Sequence, residues 1–240
     1  LNVGVIMLLA LTSISVYGVT LAGWSSNSKF SLLGGLRSAA QMVSYELSMG
    51  LAVISVVLIA GSLNFMEIVE DQSAGGALLG WNAVRNPVGC IIFIVTAFAE
   101  TNRAPFDLPE AEEELVAGYH TEYSGMKFGM FFLAEYVNWF VASFFIVTLF
   151  FGGYLVPLQP LLLDVVPALE GSIGLAVLQF LSLMLKVGFF AFLFIWVRWT
   201  FPRFKYNQLM ELGWKYLLPI SIANAILIAL GVVLFGAFGL

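Results

Sequence analysis

Charge is scarce in this 240-residue chain. Asp, Glu, Lys and Arg make up 10% of it, whereas a soluble domain carries about 25%. So few charges cannot cover a water-facing surface, and the bilayer is the natural solvent. Cysteine is scarcer still: Cys90 alone excludes an intramolecular disulfide, a CxxC metal knuckle and a Cys-held iron–sulfur cluster. There is one histidine, His120, and the residue three before it is Ala117 rather than Glu, so the inward-facing Glu-x-x-His di-iron pattern is missing. A serine nucleophile has no elbow motif to present it. Dinucleotide and NTP fingerprints are absent. The net charge of −5 comes from acids gathered in one segment, and no basic footprint for nucleic acid exists. The apolar run opening at Leu1 has no Met, no basic n-region and no cleavage site. It is not a signal peptide, and the sequence reads as beginning inside a longer protein.

What the chain has is apolar length: 60% of its residues are hydrophobic. Hydropathy predicts a single transmembrane domain over 1–240, all-α and polytopic, with spans near 1–22, 40–63, 83–101, 129–152, 172–197 and 215–239. Most reach the ~20 residues that cross ~30 Å of hydrocarbon. The third is marginal, because its apolar stretch runs only from Val88 to Ala99. Basic residues test it. With six spans, Lys29, Arg37, Arg103, Lys127, Arg198, Arg203, Lys205 and Lys215 share one side, and Arg85 alone takes the other. Omitting the third span sorts the same residues seven to two. Six spans therefore sort them better, and loop 102–128 is expected in the cytoplasm.

Several ionisable residues lie where they are expensive, at ~2.5–3.5 kcal/mol each near a span centre. Glu46 is inside the second span, Glu100 closes the third, Glu135 is one to two turns into the fourth, and Lys186 is near the middle of the fifth. Glu46 and Glu135 either snorkel toward loop arginines or form a proton relay, with Tyr45 and Tyr136 as hydroxyl partners. Carboxyls held away from water suit proton exchange near neutral pH. Lys186 is either a counter-ion or a donor to the backbone of a neighbouring span.

The loop after the third span is the most informative stretch. Asp107 followed by Glu110 reads as a capping box, with Pro109 tolerated in the first turn. Capping alone leaves Phe106, Tyr119, His120, Glu122 and Tyr123 unexplained. A connection this long is functional or disordered, and its aromatic content argues against disorder.

At this loop the sequence resembles the H-subunit family of bacterial complex I (NADH:quinone oxidoreductase), the counterpart of the mitochondrially encoded subunit 1. The string AETNRAPFDLPEAEEELVAGYHTEYSGMKFGMFFLAEY, residues 99–136, carries the likeness. LAGWSSNSKFSLLGGLRSAAQMVSYE (21–46) and VRWTFPRFKYNQLMELGWK (197–215) support it. Family members have eight spans, and these six resemble the third to the eighth. The resemblance implies a translocase subunit that binds quinone (ubiquinone or menaquinone) as substrate and couples its reduction to proton translocation. It implies a proton path through Glu46, Glu100 and Glu135. Asp107, Glu110, Glu112, Glu114 and Glu122 would line the quinone chamber, with Arg37, Arg103, Arg198 and Arg203 around it. Glu113 and Lys186 are weaker matches. FMN and the iron–sulfur clusters would sit in partner subunits, and no metal would be bound here. The implied partners are soluble quinone-module subunits on the cytoplasmic face, small and antiporter-like membrane subunits, and inner-membrane lipid. Three alternatives stay open: the related anchor of an energy-converting hydrogenase or formate hydrogenlyase, a secondary transporter, and a purely structural anchor. A transporter predicts internal repeats and broken midplane helices, of which the sequence shows neither clearly.

Overall fold

A computed structural model describes residues 2–74, 78–102, 105–107, 118–159 and 172–238. Among these residues the chain is helix and loop, without strands. The helices are α1 (Gly4–Ser25), α2 (Lys29–Ala60), α3 (Phe65–Ala74), α4 (Asn82–Arg85), α5 (Pro87–Glu100), α6 (Met126–Phe150) and α7 (Ile173–Thr200). Then α8 (Tyr206–Glu211) runs through a π-helical turn (Leu212–Leu217) into α9 (Leu218–Phe238). Among the described residues, five helices are long and apolar enough to cross a membrane: α1, α2, Gly125–Phe150, α7 and the continuous Tyr206–Leu234. Their outward faces are hydrocarbon-like, with Leu185 76% and Leu227 68% exposed.

The segment 83–101 is two helices rather than one. Asn86 breaks it: its side chain accepts from the Gly89 amide (2.9 Å) and donates to Ser55 Oγ (2.6 Å), and Pro87 opens the new helix. The resulting α5 has 14 residues, about 21 Å of helix at 1.5 Å per residue. It is surrounded largely by protein, with Ile92, Phe93, Thr96, Ala97, Phe98 and Ala99 all buried. The first turns of α2 and of the last long helix also lie outside their predicted apolar windows, because hydropathy stops at polar residues that helices do not stop at.

Helix α2 is the hub, packing against α1, α5 and α9. Its buried face carries Ser31, Gly34, Gly35, Ser38, Gln41, Ser44, Tyr45, Ser48, Ala52 and Ser55. Small residues let backbones approach, which is how helices associate without a hydrophobic drive between them. Farther along, aromatic rings join the other helices: Phe98 of α5 lies 4.1 Å from Phe194 of α7, and Trp139 of α6 stacks on Phe194 at 6.2 Å. Where α3, α4 and the end of α6 meet, Gln72 is a buried polar node. Its amide donates to Thr148 O (3.1 Å) and its oxygen accepts from the amides of Gly152 (2.9 Å) and Asn82 (3.3 Å).

One close approach of backbone to backbone is at Gly34. A Cβ there would lie 3.0 Å from Gly118 Cα and 3.1 Å from the Tyr119 amide, neither of which can rotate away. Gly50, on the same helix, faces open space. Gly34→Ala should therefore cost about 1–3 kcal/mol, the usual penalty of overpacking. Gly50→Ala should be neutral or gain up to about 1 kcal/mol from helix propensity. Thermal unfolding of the two variants in detergent checks this; equal midpoints would refute the close approach.

Candidate functional site

Three partly buried acids come from three helices. Glu46 of α2 faces α1, where the Ser13 hydroxyl donates to its Oε1. Glu100 ends α5, near enough to Glu46 for that charge to act on it. Beyond Glu100 lies a cavity of about 20 Å³ whose polar lining is Glu100, Thr12 of α1 and Asn138 of α6, among Leu9, Phe93 and Phe145. That volume has room for about one water, and three polar groups are enough to hold it. Asn138 is three residues from Glu135, on the same face of α6. Glu100 of α5 and Asn138 of α6 thus share one cavity with Thr12 of α1, while Glu46 of α2 meets Ser13 of α1.

Tyr45, expected beside Glu46, is bonded elsewhere. Tyr45 is fully buried, and its hydroxyl donates to the Leu209 carbonyl at 2.8 Å. Neighbours on a helix point about 100° apart, so Tyr45 is turned to α8 while Glu46 is turned to α1. Tyr136 is 42% exposed and sets its ring against Trp139 at 5.1 Å. Lys186 takes the backbone alternative: it donates to the carbonyls of Phe151, Gly153 and Leu155.

That anchor is built around Asp107, which is buried and paired with Arg203. The Phe204 amide donates to the Pro105 carbonyl at 3.1 Å. Phe106 lies between Phe204 (5.4 Å) and Tyr45 (5.8 Å). Gln41 reaches from α2 to donate to both Ala99 O (2.7 Å) and Phe106 O (2.8 Å), tying the end of α5 to the loop that follows. Arg37 lies over the Tyr206 ring at 5.7 Å. Arg203 thus supplies a cation to Asp107, and Arg198, in the last turn of α7, lies over Trp199 at 6.0 Å. Glu122 is exposed beside Tyr123 and Lys127. Arg103, Glu110, Glu112, Glu113 and Glu114 lie outside the described residues, as does the Glu110 half of the expected capping box.

Ser13, Thr12, Asn138 and Gln41 were not among the residues expected from sequence. Serine and threonine in an apolar span usually bond back to their own helix, as Thr12 does to Leu9 O at 2.9 Å. Their second role needs the neighbouring helix to be visible. Gln41 carried a signal, since a carboxamide on the buried stripe of a membrane helix needs partners.

The chain belongs to the NADH dehydrogenase family, whose model matches residues 1–229. Among its relatives, the H subunit of NADH-quinone oxidoreductase from Salinibacter ruber is 90% identical over 240 residues, covering 100% of this chain and 70% of that protein. NADH-quinone oxidoreductase subunit 8 of Rhodothermus marinus is 77% identical over 235 residues, 98% of this chain and 69% of its own length. The corresponding H subunit from Protochlamydia amoebophila is 52% identical over 229 residues, 95% of this chain and 63% of its own. The likeness to the complex I H subunit carried by residues 99–136 therefore extends along the chain.

His120 is buried among the rings of Tyr119, Phe131, Phe128 and Phe132, and burial pushes its imidazole down to about 4. Burial therefore favours its neutral form at physiological pH. The unfolded chain takes up this proton near pH 6.5 and the folded one near 4. The stabilisation is complete above about 6.5 and is lost as pH falls toward 4, on the order of 2 kcal/mol at pH 5. His120→Phe should lose less stability between pH 7 and pH 5 than the parent does. Parallel pH curves for the two would contradict this.

Proposed function

We propose that this chain is a membrane subunit of proton-translocating NADH:quinone oxidoreductase, forming part of the quinone chamber and the first carboxylates of the path that couples quinone reduction to proton movement. The single observation that supports it most is Glu100, within reach of the Glu46 charge, lining a water-sized cavity with Asn138 of α6, the helix that carries Glu135. In this reading, quinone (ubiquinone or menaquinone) is the substrate. Electrons arrive from FMN and iron–sulfur clusters held by soluble partner subunits, since Cys90 alone supplies too few thiolates for a cluster.

Reduction places negative charge near Asp107. When Asp107 takes a proton, its attraction for Arg203 falls from that of an ion pair to that of a neutral hydrogen bond. Gln41 joins the loop carrying Asp107 to the end of α5 carrying Glu100, so the change reaches a carboxyl already coupled to Glu46. The cavity water and Asn138 then offer a hydrogen-bonded step to α6. The remaining acids of the chamber wall, Glu110, Glu112, Glu114 and Glu122, and the arginines Arg37, Arg103 and Arg198 supply the surrounding charge. Antiporter-like membrane subunits receive the protonic change in this reading. Orientation follows the basic residues: the acidic loop faces the cytoplasm across the inner membrane, so Ser124→Cys should resist a membrane-impermeant reagent added to the outside of intact cells. Ready labelling would reverse the topology.

Glu100→Gln and Glu135→Gln keep shape and abolish titration. In the assembled enzyme each should lower quinone-linked turnover and pumping together by about a hundredfold, the scale of a lost proton transfer. NADH oxidation by a hydrophilic artificial acceptor should persist. Asp107→Asn should lower the same activities, because Asn caps a helix as well as Asp does but cannot carry the charge. Wild-type turnover and pumping in all three would overturn the proposal.

A further inference from the structure

Helix α6 ends at Phe150, and its last carbonyls have no partner further along the helix. The chain then curls through Gly152 (φ +71°) and Gly153 (φ +51°), left-handed conformations that glycine adopts without strain. A side chain on Gly152 would also strike the Trp81 indole nitrogen, 2.8 Å from its Cβ position. The curl turns the carbonyls of alternate residues, Phe151, Gly153 and Leu155, onto one point. Lys186 Nζ occupies it, at 2.8, 3.1 and 2.6 Å. An ammonium has three N–H donors, and here there are three carbonyls. Trp81 covers the fourth side with its ring centroid 4.6 Å from Nζ. Ser182, one turn earlier on α7, donates to the same Leu155 oxygen at 3.2 Å.

No carboxylate forms a salt bridge with Lys186 among the described residues. A cation inside a membrane protein ordinarily finds an acid; this one finds carbonyl dipoles. Oxygens converging in this way are how a protein replaces the hydration shell of a small monovalent cation, and the C-terminus of a helix adds its own negative potential.

We infer that residues 151–155 form a monovalent-cation site whose occupant is tethered. Lys186 is a positioning residue: its charge pins the end of α6 to α7, and it carries no proton along the carboxylate line. This inference is independent of the proposed proton path.

The test is chemical rescue in the assembled membrane enzyme. Lys186→Ala empties the site, and Lys186→Met fills it with an uncharged stem. Both should lower the thermal midpoint of the subunit by about 2–4 °C or more. Ammonium chloride should restore the Ala variant, in which a small cation has room, and leave the Met variant unchanged. Tetramethylammonium chloride at equal ionic strength, too bulky for the site, should restore neither. If the Ala variant assembles only when produced in ammonium, that also supports the site. A Met variant with the parental midpoint would overturn the inference, as would an Ala variant indifferent to ammonium. A Met variant of parental stability that has lost quinone-linked turnover would assign Lys186 to proton transfer instead.

Discussion

Hydrocarbon offers no hydrogen bonds, so the backbone groups that this chain takes into the membrane must be answered within protein. That constraint organises the structure. It explains why α2, the most enclosed long helix, is lined with serines, glycines and one carboxamide rather than with leucine alone. It explains why the broken backbone around Asn86 is capped by a side chain and bound to Ser55. The carbonyls after Phe150 and the amides around Gly152 are answered in the same way, by Lys186 and Gln72.

The same constraint divides the ionisable residues into two kinds. Lys186 has all its donors used by fixed backbone, and the charge is held still. Glu46 has a hydroxyl beside it and Glu100 a space of water size, the surroundings that the proposed proton path requires. Surroundings therefore separate the two kinds, although both look alike as an ionisable letter within an apolar run.

That limit sets how much was legible in advance. The helical class and most long helices followed from apolar length, because hydrocarbon thickness dictates it. Glu46, Glu100 and Glu135 were legible as costly residues. Tyr45 was misplaced beside Glu46 because adjacency in sequence is not adjacency across a helix; its hydroxyl belongs to Leu209. Arg198 and Arg203 are alike in kind and close in sequence, and only the turn after Thr200 decides that Arg203 meets Asp107. Ser13 and Asn138 carried no signal of their own, since their importance lies entirely in which helix stands opposite. The acidic run beyond Asp107 is where the family likeness is longest, and the described residues hold only its two ends.

The contact between Gly34 and Gly118 has a mechanical meaning. Most interfaces in a protein yield a little, because side chains rotate and absorb small displacements. Here main chain rests on main chain with nothing between to rotate. Gly118 leads through His120 into α6 within a few residues. A sliding of α2 along its axis would therefore press directly on the backbone that leads into α6, with no side chain between to absorb it.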